Sequence, residues 1–300
     1  DYIIEIILLS LAAFLRTVFM LSLAIIQCKE LAQKYLKLNL FYTILYNSLF
    51  IVLLFLGYTV LAWLYAIFIA YLLTSLFSFK FYLNNLIKRF NKLHTTDLKK
   101  QFLEGIIFLP QAIGFWSRTG SERFYLSIFL SLSTLGVYSF NFQLSLPIVI
   151  FGTAINIYLT PILAKNIKVQ NEKEVLQITK NYAFFIIVAS FLFVIGAYIV
   201  SRFFFFEKYF ESFYLTIWTT LINLFYVLML LFINPLYYLG RKKIVSSFIF
   251  FYGVFLSVSN FFVIKYFNIQ GLVIFNLITN FFFFLFSYKL LIKYIYASKF

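Results

Sequence analysis

The chain has 300 residues, of which 63% are hydrophobic and only 12% are charged. Soluble globular domains carry about 25% charged residues and roughly 45–50% apolar ones, so one water-soluble core cannot hold these apolar side chains. The formal net charge of +15 would suggest nucleic acid as a partner of a soluble protein. In a chain that has the bilayer as its solvent we expect no nucleic-acid binding, and composition predicts a membrane protein.

Nine segments are apolar and long enough to cross a bilayer, which takes about 20 residues of helix. We therefore predict an all-α polytopic membrane protein, with Gly57, Gly240 and Gly271 marking helix ends. In chain order the predicted spans are residues 2–27, 36–56, 59–78, 104–130, 134–163, 175–200, 213–239, 244–267 and 270–292.

Lysine and arginine are concentrated in every second connection between these spans. The connections on one side, with the C-terminal tail, hold Lys29, Lys34, Lys37, Lys80, Lys88, Arg89, Lys92, Lys99, Lys100, Lys165, Lys168, Lys173, Lys180, Arg241, Lys242, Lys243, Lys289, Lys293 and Lys299. The opposite side holds only Arg202, Lys208 and Lys265. Because basic residues are enriched in cytoplasmic loops, we predict a multi-pass protein of the bacterial inner membrane with a cytoplasmic C-terminus. The first span then runs from outside to inside. With the start at Asp1, this orientation leads us to expect an odd number of helices upstream.

The longest hydrophilic break divides the chain into three parts. Residues 1–78 are predicted to be a partial N-terminal bundle of three helices, and residues 104–300 a complete C-terminal bundle of six. Between them, Leu86, Ile87 and Phe90 recur at near-helical spacing among lysines and arginines. Residues 79–103 are therefore predicted to form an amphipathic connector on the cytoplasmic surface, where its basic residues contact anionic membrane lipids.

The residues that enzymes and metal sites require are scarce. Cys28 is the only cysteine and His94 the only histidine, so we predict no disulfide, metal ion or other cofactor. Phosphate-binding, dinucleotide-binding, zinc-peptidase and serine-hydrolase motifs are absent, and the predicted loops are short. We therefore expect no catalytic residues and no enzymatic activity.

Charged residues interrupt the fourth predicted span. Arg118, Glu122 and Arg123 lie within it, although a charge in hydrocarbon costs at least about 2.5–3.5 kcal/mol. One hypothesis is a buried ion pair between Arg118 and Glu122, four residues apart, with Arg123 extending towards the interface. The other is a cationic cavity for an anionic ligand, since guanidinium binds diphosphate oxygens in pairs. Arg16 in the first span would give such a central site an arginine on each bundle.

Prolines and amides inside the spans are compatible with a transporter. Pro110, Pro147, Pro161 and Pro235 all fall within predicted spans, where proline kinks a helix. Kinked helices are typical of transporters, although static membrane proteins also contain them. Amide side chains in the spans either line a cavity or join helices. The candidates for cavity lining are Asn141, Gln143 and Asn156.

Three stretches of the chain resemble a known family. The first runs from Phe102 through Pro110 and Ser121-Glu-Arg-Phe to Leu132-Ser-Thr-Leu-Gly-Val-Tyr-Ser-Phe. The second is Asn234-Pro-Leu-Tyr-Tyr-Leu-Gly-Arg-Lys-Lys, and the third is Asn260-Phe-Phe-Val-Ile-Lys-Tyr-Phe-Asn-Ile-Gln-Gly-Leu. They are similar to bacterial polysaccharide flippases of the O-antigen type, in the multidrug/oligosaccharidyl-lipid/polysaccharide exporter superfamily. The chain departs from the family pattern where Glu122 replaces aspartate, Asn268 replaces glycine and Leu272 replaces alanine.

The resemblance implies two six-helix bundles around a central cavity, with this chain matching helices four to twelve. It implies transport of undecaprenyl-diphosphate-linked oligosaccharide to the periplasmic leaflet by alternating access, for O-antigen or capsule biosynthesis. Arg118, Arg123, Arg16 and Glu122 would then form the diphosphate site. Other polysaccharide assembly proteins are its expected partners.

Three other functions compete with transport of a lipid-linked oligosaccharide. A cation-coupled multidrug exporter of the same superfamily would favour acidic or aromatic lining over surplus arginine. A membrane glycosyltransferase or polymerase would need a large extramembrane loop, which is not predicted here. A peptidoglycan-precursor flippase stays open, because the charge pattern would be the same.

Overall fold

A computed structural model describes residues 2–29, 31–58, 60–90, 95–169, 171–204 and 211–297. All regular structure in these ranges is α-helical, which confirms the predicted all-α class. The helices are α1 (Tyr2–Cys28), α2 (Ala32–Phe55), α3 (Val60–Phe90), α4 (Thr95–Ile106), α5 (Leu109–Phe129), α6 (Leu132–Lys168), α7 (Glu172–Phe204), α8 (Phe213–Ile233), α9 (Pro235–Tyr238) and α10 (Lys242–Ala297).

The outer surface of these helices is apolar, as a bilayer requires. Phe55, Leu132 and Phe203 are each more than three-quarters exposed, and many other large apolar side chains are exposed with them. Among the described residues, seven helical stretches are long and apolar enough to cross a membrane. Since water would not tolerate so large an apolar surface, the chain is a multi-pass membrane protein.

The seven stretches differ from the nine predicted spans for two physical reasons. Helix α5, which holds the charged residues of the fourth predicted span, is too polar to qualify by composition. Residues 242–295 form one stretch of 54 residues, which would be about 80 Å long if straight and therefore cannot cross a bilayer once. The number of spans and the two-bundle arrangement stay predictions.

Helix α10 is a hairpin of two antiparallel helices that meet at Asn268. This residue has non-helical dihedral angles, φ 55° and ψ −157°. Aromatic rings on its two sides contact each other, with centroid distances of 6.3 Å for Phe255–Phe275, 4.9 Å for Tyr252–Phe283 and 5.8 Å for Phe248–Phe286. The bend separates the predicted spans 244–267 and 270–292. Gly271 does not end a helix as predicted, because the chain reverses three residues earlier.

Replacing Asn268 with glycine is expected to stabilise the protein by about 1 kcal/mol. A side chain at this positive φ is strained, and such positions cost of order 1–3 kcal/mol each, whereas glycine adopts them freely. The gain is measured as a higher midpoint of thermal unfolding in detergent. Gln143→Gly is the matched control on an exposed helix face, where glycine is expected to lower stability by about 1 kcal/mol. Equal destabilisation by both changes would contradict the strain at Asn268.

Contacts divide the chain into two compact units, Asp1–Lys99 and Lys100–Phe300. The first unit contains α1 to α3, which pack around stacked aromatic rings. The Tyr42 ring lies 5.3 Å from Phe19 and 4.7 Å from Tyr71 between centroids, and the Ser75 hydroxyl donates a hydrogen bond to the Leu15 carbonyl at 2.9 Å.

The amphipathic pattern predicted for residues 79–103 rests largely on side chains 80–98, which lie outside the described residues.

The second unit is built around α8, the most deeply buried of its long helices. One apolar cluster joins α8 to α6, α7 and α10, and a second joins it to α5, α6 and α10. Polar residues at helical spacing on α8, namely Thr216, Thr219, Thr220 and Asn223, are also buried. A buried central helix with polar groups gives the other helices hydrogen-bonding partners inside an apolar solvent.

Helix ends in both units can be compared with the predicted spans. The fourth predicted span is interrupted between Ile106 and Leu109, so that α4 and α5 are separate helices. Gly57 and Gly240 have positive φ of 87° and 76°, and each follows the last turn of a helix as predicted.

Candidate functional site

Helix α5 has its polar face inward and its apolar face outward, the reverse of a helix on a soluble protein. Its buried residues follow one stripe at spacings of three and four: Gly114, Ser117, Arg118, Ser121, Glu122 and Leu126. On the other face Trp116 is 69% and Phe124 60% exposed. In a bilayer the apolar face contacts lipid, so the polar stripe must find its partners inside the unit.

Arg118 is held by three side chains of the bundle and is only 8% exposed. Its Nε–H donates to the Tyr252 hydroxyl at 3.0 Å, and its Nη2 donates to Asn223 Oδ1 at 3.1 Å. The guanidinium carbon lies 3.6 Å from the centre of the Tyr226 ring, which is a stacked cation–π contact. These contacts use both the hydrogen-bonding edge and the flat face of the guanidinium.

The partners of Arg118 extend the polar contacts through the bundle. The Tyr252 hydroxyl donates to Asn280 Oδ1 at 2.6 Å, which joins the two halves of the α10 hairpin. The amide of Asn223 donates to the Ser145 hydroxyl at 2.8 Å, which joins α8 to α6. One arginine on α5 is thus connected to α6, α8 and both arms of α10.

Glu122 and Arg118 form no ion pair within 4.0 Å, which contradicts the first of the two hypotheses about these charges. Its carboxylate accepts a hydrogen bond from the Tyr138 hydroxyl on α6. Among the described residues the ion pair within 4.0 Å is Lys242–Glu104, at 3.4 Å and partly exposed. Glu122 is 9% exposed, so this carboxylate is buried with a tyrosine as its hydrogen-bonding partner.

Arg123 is exposed, unlike its two charged neighbours on α5. Its guanidinium carbon lies 5.5 Å from the centre of the Phe142 ring on α6. With Arg118 and Glu122 it lines a small cavity, whose wall also includes Tyr138 and residues of α8 and α10. The charges around this cavity sum to one positive charge, because two guanidinium groups face one carboxylate.

The space enclosed beside these charges is about 20 Å³, which is room for about one water molecule. A diphosphate group does not fit into it, so in this conformation the site is closed to such a ligand. The Asn276 side chain lines the same cavity, is 3% exposed and has an Oδ1 without a hydrogen-bond partner.

The other residues predicted for the site lie in different surroundings. Arg16 is exposed on α1 in the first unit, so its place beside Arg118 stays a prediction. Asn141 is fully buried, and donates to Ser212 at 2.9 Å and accepts from Thr216 at 2.7 Å. Asn156 accepts from Asn234 at 3.2 Å. Asn141 therefore joins α6 to the start of α8, and Asn156 joins α6 to the end of α8. Gln143 is exposed on α6.

The four prolines have different positions in their helices. Pro147 and Pro161 lie inside α6, and the kinks expected at them stay predictions. Pro110 lies in the first turn of α5, and Pro235 begins the short α9 directly after the end of α8. For these two the missing amide hydrogen falls at a helix start, where no intrahelical bond is lost.

Sequence reasoning identified the charged residues but not the side chains that hold them. These partners are Asn223, Tyr226 and Tyr252, and they lie 105 to 134 residues from Arg118 along the chain. Tyrosine is common in this chain, with 23 examples, so nothing singled out these particular rings. A search for polar residues in apolar helices would have found Asn223 and Asn280.

Within the described residues, no three His, Cys, Asp or Glu side chains come together as metal ligands. The chain matched no protein-family model, no curated protein and no solved structure. A function therefore has to be inferred from the arrangement of the side chains around Arg118 and Arg123.

Proposed function

We propose that this protein is a flippase for an anionic lipid-linked oligosaccharide, of the undecaprenyl-diphosphate type, in the bacterial inner membrane. The observation that carries the proposal is the pair of guanidinium groups, Arg118 and Arg123, at one cavity inside an apolar helix bundle. Their charge exceeds that of the single carboxylate beside them. A surplus positive charge held within a membrane bundle favours an anionic cargo, since it offsets the free energy of moving that charge through hydrocarbon.

The two arginines have different roles in this proposal. Arg123 is exposed, and the contact given for its guanidinium within the described part of the chain is with the Phe142 ring, so we expect it to meet a diphosphate first. Arg118 is enclosed by Tyr252, Asn223 and Tyr226, and a ligand has to displace these contacts or widen the cavity. Opening of the cavity is then coupled to binding, as alternating access requires.

A cation-coupled multidrug exporter is the second candidate, favoured by Glu122. This buried carboxylate lines the same cavity and, among the residues that the structure describes, has no ion-pair partner within 4.0 Å. A buried acidic group of this kind would suit a cationic cargo or coupling ion better than an anion. Two arginines beside it weigh against that assignment. A peptidoglycan-precursor flippase has the same charge requirement and differs only in the glycan.

Replacing Arg123 with alanine is expected to reduce flippase activity at least 10-fold. The test is restoration of surface polysaccharide in a strain that lacks its own flippase, with the complete gene that contains this sequence. Because Arg123 is exposed, its loss removes a positive charge from the cavity without disturbing the buried contacts of Arg118. Surface polysaccharide is quantified on gels and normalised to the amount of membrane-inserted protein.

Lys265→Ala is the matched control for this test. Lys265 is also exposed and lies 5.5 Å from an aromatic ring, that of Tyr266, but it does not line the cavity. Restoration by the parent gene and by Lys265→Ala, but not by Arg123→Ala, supports the proposal. Full restoration by Arg123→Ala would mean that Arg123 does not bind the cargo. If the parent gene fails to restore surface polysaccharide but confers drug resistance, the multidrug exporter is favoured.

A further inference from the structure

A second and larger cavity lies at one end of the second unit. It is half-open, has a volume of about 630 Å³, and falls within the range of roughly 300–1,000 Å³ that is typical of small-molecule sites. Its walls come from the end of α5, the first turns of α6 and α8, and the bend of α10 at Asn268. We call this space the end cavity.

The described walls of the end cavity combine apolar side chains, such as Leu130 and Ile269, with polar groups that carry no charge. Hydroxyl and amide groups come from Thr134, Asn268 and Gln270, and none of the described lining residues carries a charge. Two aromatic rings join them, those of Tyr214 and Phe267, which are 47% and 66% exposed. Amides and hydroxyls both donate and accept hydrogen bonds, and exposed rings pack against the apolar faces of sugar rings. This lining suits a neutral, hydroxyl-rich ligand and does not suit a phosphate.

The end cavity and the arginine cavity lie along the same helices. On α8, Leu215 lines the end cavity and Ile222 the arginine cavity, two helical turns away on the same face. On α10, Ile269 lines the end cavity, and Asn276, seven residues later, lines the arginine cavity. Seven residues of helix rise about 10.5 Å, so the two cavities are offset by about that distance along the bundle.

Neighbouring residues of helix α6 line the two cavities. Its Val137 lines the end cavity, whereas the next residue, Tyr138, lines the arginine cavity and donates to Glu122. Asn141, one turn further along, donates to Ser212, which also lines the end cavity. The polar contacts of the bundle interior therefore reach the wall of the end cavity.

We propose that the end cavity is a binding site for neutral saccharide, with Tyr214 and Gln270 as contact residues. This inference rests on the proposed function, in which the arginine cavity receives the diphosphate. The end cavity then holds sugar rings of the same cargo, about two helical turns away. Asn268, which lines the end cavity, is three residues after Lys265. Lys265 and Arg202 are among the few basic residues of the sparsely charged side, which is predicted to face outwards, so we expect the end cavity to open on that side.

The test is a ligand-observed saturation-transfer NMR titration on the complete protein in lipid nanodiscs. The probe is chitotriose, a neutral trisaccharide that carries hydroxyl and acetamido groups but no phosphate. We expect saturable contact with the unmutated protein and at least 10-fold weaker binding for Tyr214→Ala. Gln270→Ala, a second exposed position, is expected to weaken binding about 5-fold, in the range of one lost hydrogen bond. Tyr158→Ala is the matched control, because Tyr158 is also an exposed tyrosine, on α6, and does not line the cavity.

Titration of inorganic diphosphate against the same proteins separates this inference from the proposed function. Arg123→Ala is expected to weaken diphosphate binding and to leave chitotriose binding unchanged, and Tyr214→Ala is expected to do the reverse. Absence of chitotriose binding to the unmutated protein overturns the saccharide site, whatever the diphosphate result. Chitotriose binding that survives both Tyr214→Ala and Gln270→Ala overturns it as well. If diphosphate binding is the same with and without Arg123→Ala, and the chitotriose results are as expected, only the proposed arginine site is overturned.

Discussion

Replacing Arg118 with leucine is expected to lower the free energy of unfolding by about 3 kcal/mol. The change leaves Asn223 Oδ1 buried without the donor that now lies 3.1 Å away, and an unsatisfied buried acceptor costs about 1–3 kcal/mol. It also removes the stacked contact with Tyr226, which is worth about 2 kcal/mol when desolvated. The gain from no longer burying a charge offsets part of this loss. Denaturant titration of the purified protein in mixed micelles measures the difference.

Arg123→Leu is the matched control, because it removes the same charge from an exposed position of the same helix. It is expected to change stability by less than about 0.5 kcal/mol. Arg118→Lys should lose roughly half as much as Arg118→Leu, since an ammonium group keeps the charge but cannot stack and span both partners. If Arg118→Leu and Arg123→Leu had equal effects, the contacts of Arg118 would not stabilise the fold. Because an Arg118 variant is expected to be less stable, its transport activity has to be compared with the amount of folded protein.

The general architecture of this chain could be predicted because it follows from composition and length. An apolar chain with few charges has to fold in lipid, and in lipid only helices satisfy the backbone without closing a barrel. The bend in α10 follows from the same reasoning: 54 apolar residues are too long for one crossing, so the chain must reverse. The interruption lies at Asn268, between the two predicted spans.

The partners of the charged residues could not be predicted from local spacing. Arg118 and Glu122 are one turn apart, but such a pair is worth only about 0.2–0.5 kcal/mol on a helix. Two hydrogen bonds and a ring contact from other helices outweigh it, and Glu122 binds Tyr138 instead. These partners are distant in sequence and belong to common residue types. Only the packing of α5 against α6, α8 and α10 brings them together.

One signal in the sequence does mark the inward face of α5. Small and polar residues recur along it at positions 114, 117, 118, 121 and 122, all of which are buried. This stripe has helical periodicity, and its opposite face is apolar. In a soluble protein the same pattern would indicate a polar outer face, so the membrane setting had to be established before the stripe could be interpreted.

Replacing Gly253 with alanine is expected to lower the free energy of unfolding by about 3 kcal/mol. A Cβ on Gly253 would overlap the backbone carbonyl of Gly114, and a Cβ on Gly114 would in turn overlap the backbone of Ile249. Neither neighbour is a side chain that can rotate away, so α5 and α10 would have to separate. Overpacking costs typically 1–3 kcal/mol, and a clash between two backbones is at the upper end of that range. Gly196→Ala is the control, because its Cβ meets nothing within 4 Å and alanine favours the helix.

The same close approach of α5 and α10 places Arg118 against Tyr252, since Arg118 is one turn beyond Gly114 and Tyr252 precedes Gly253. Separation of the two helices by Gly253→Ala should therefore weaken the hydrogen bond between Arg118 and Tyr252. We expect the double variant with Arg118→Leu to lose at least 1 kcal/mol less than the sum of the single changes, as coupled sites do. The pair Gly196→Ala and Arg118→Leu should be additive. Additivity in both pairs would mean that the glycine contact and the arginine contacts stabilise the bundle independently.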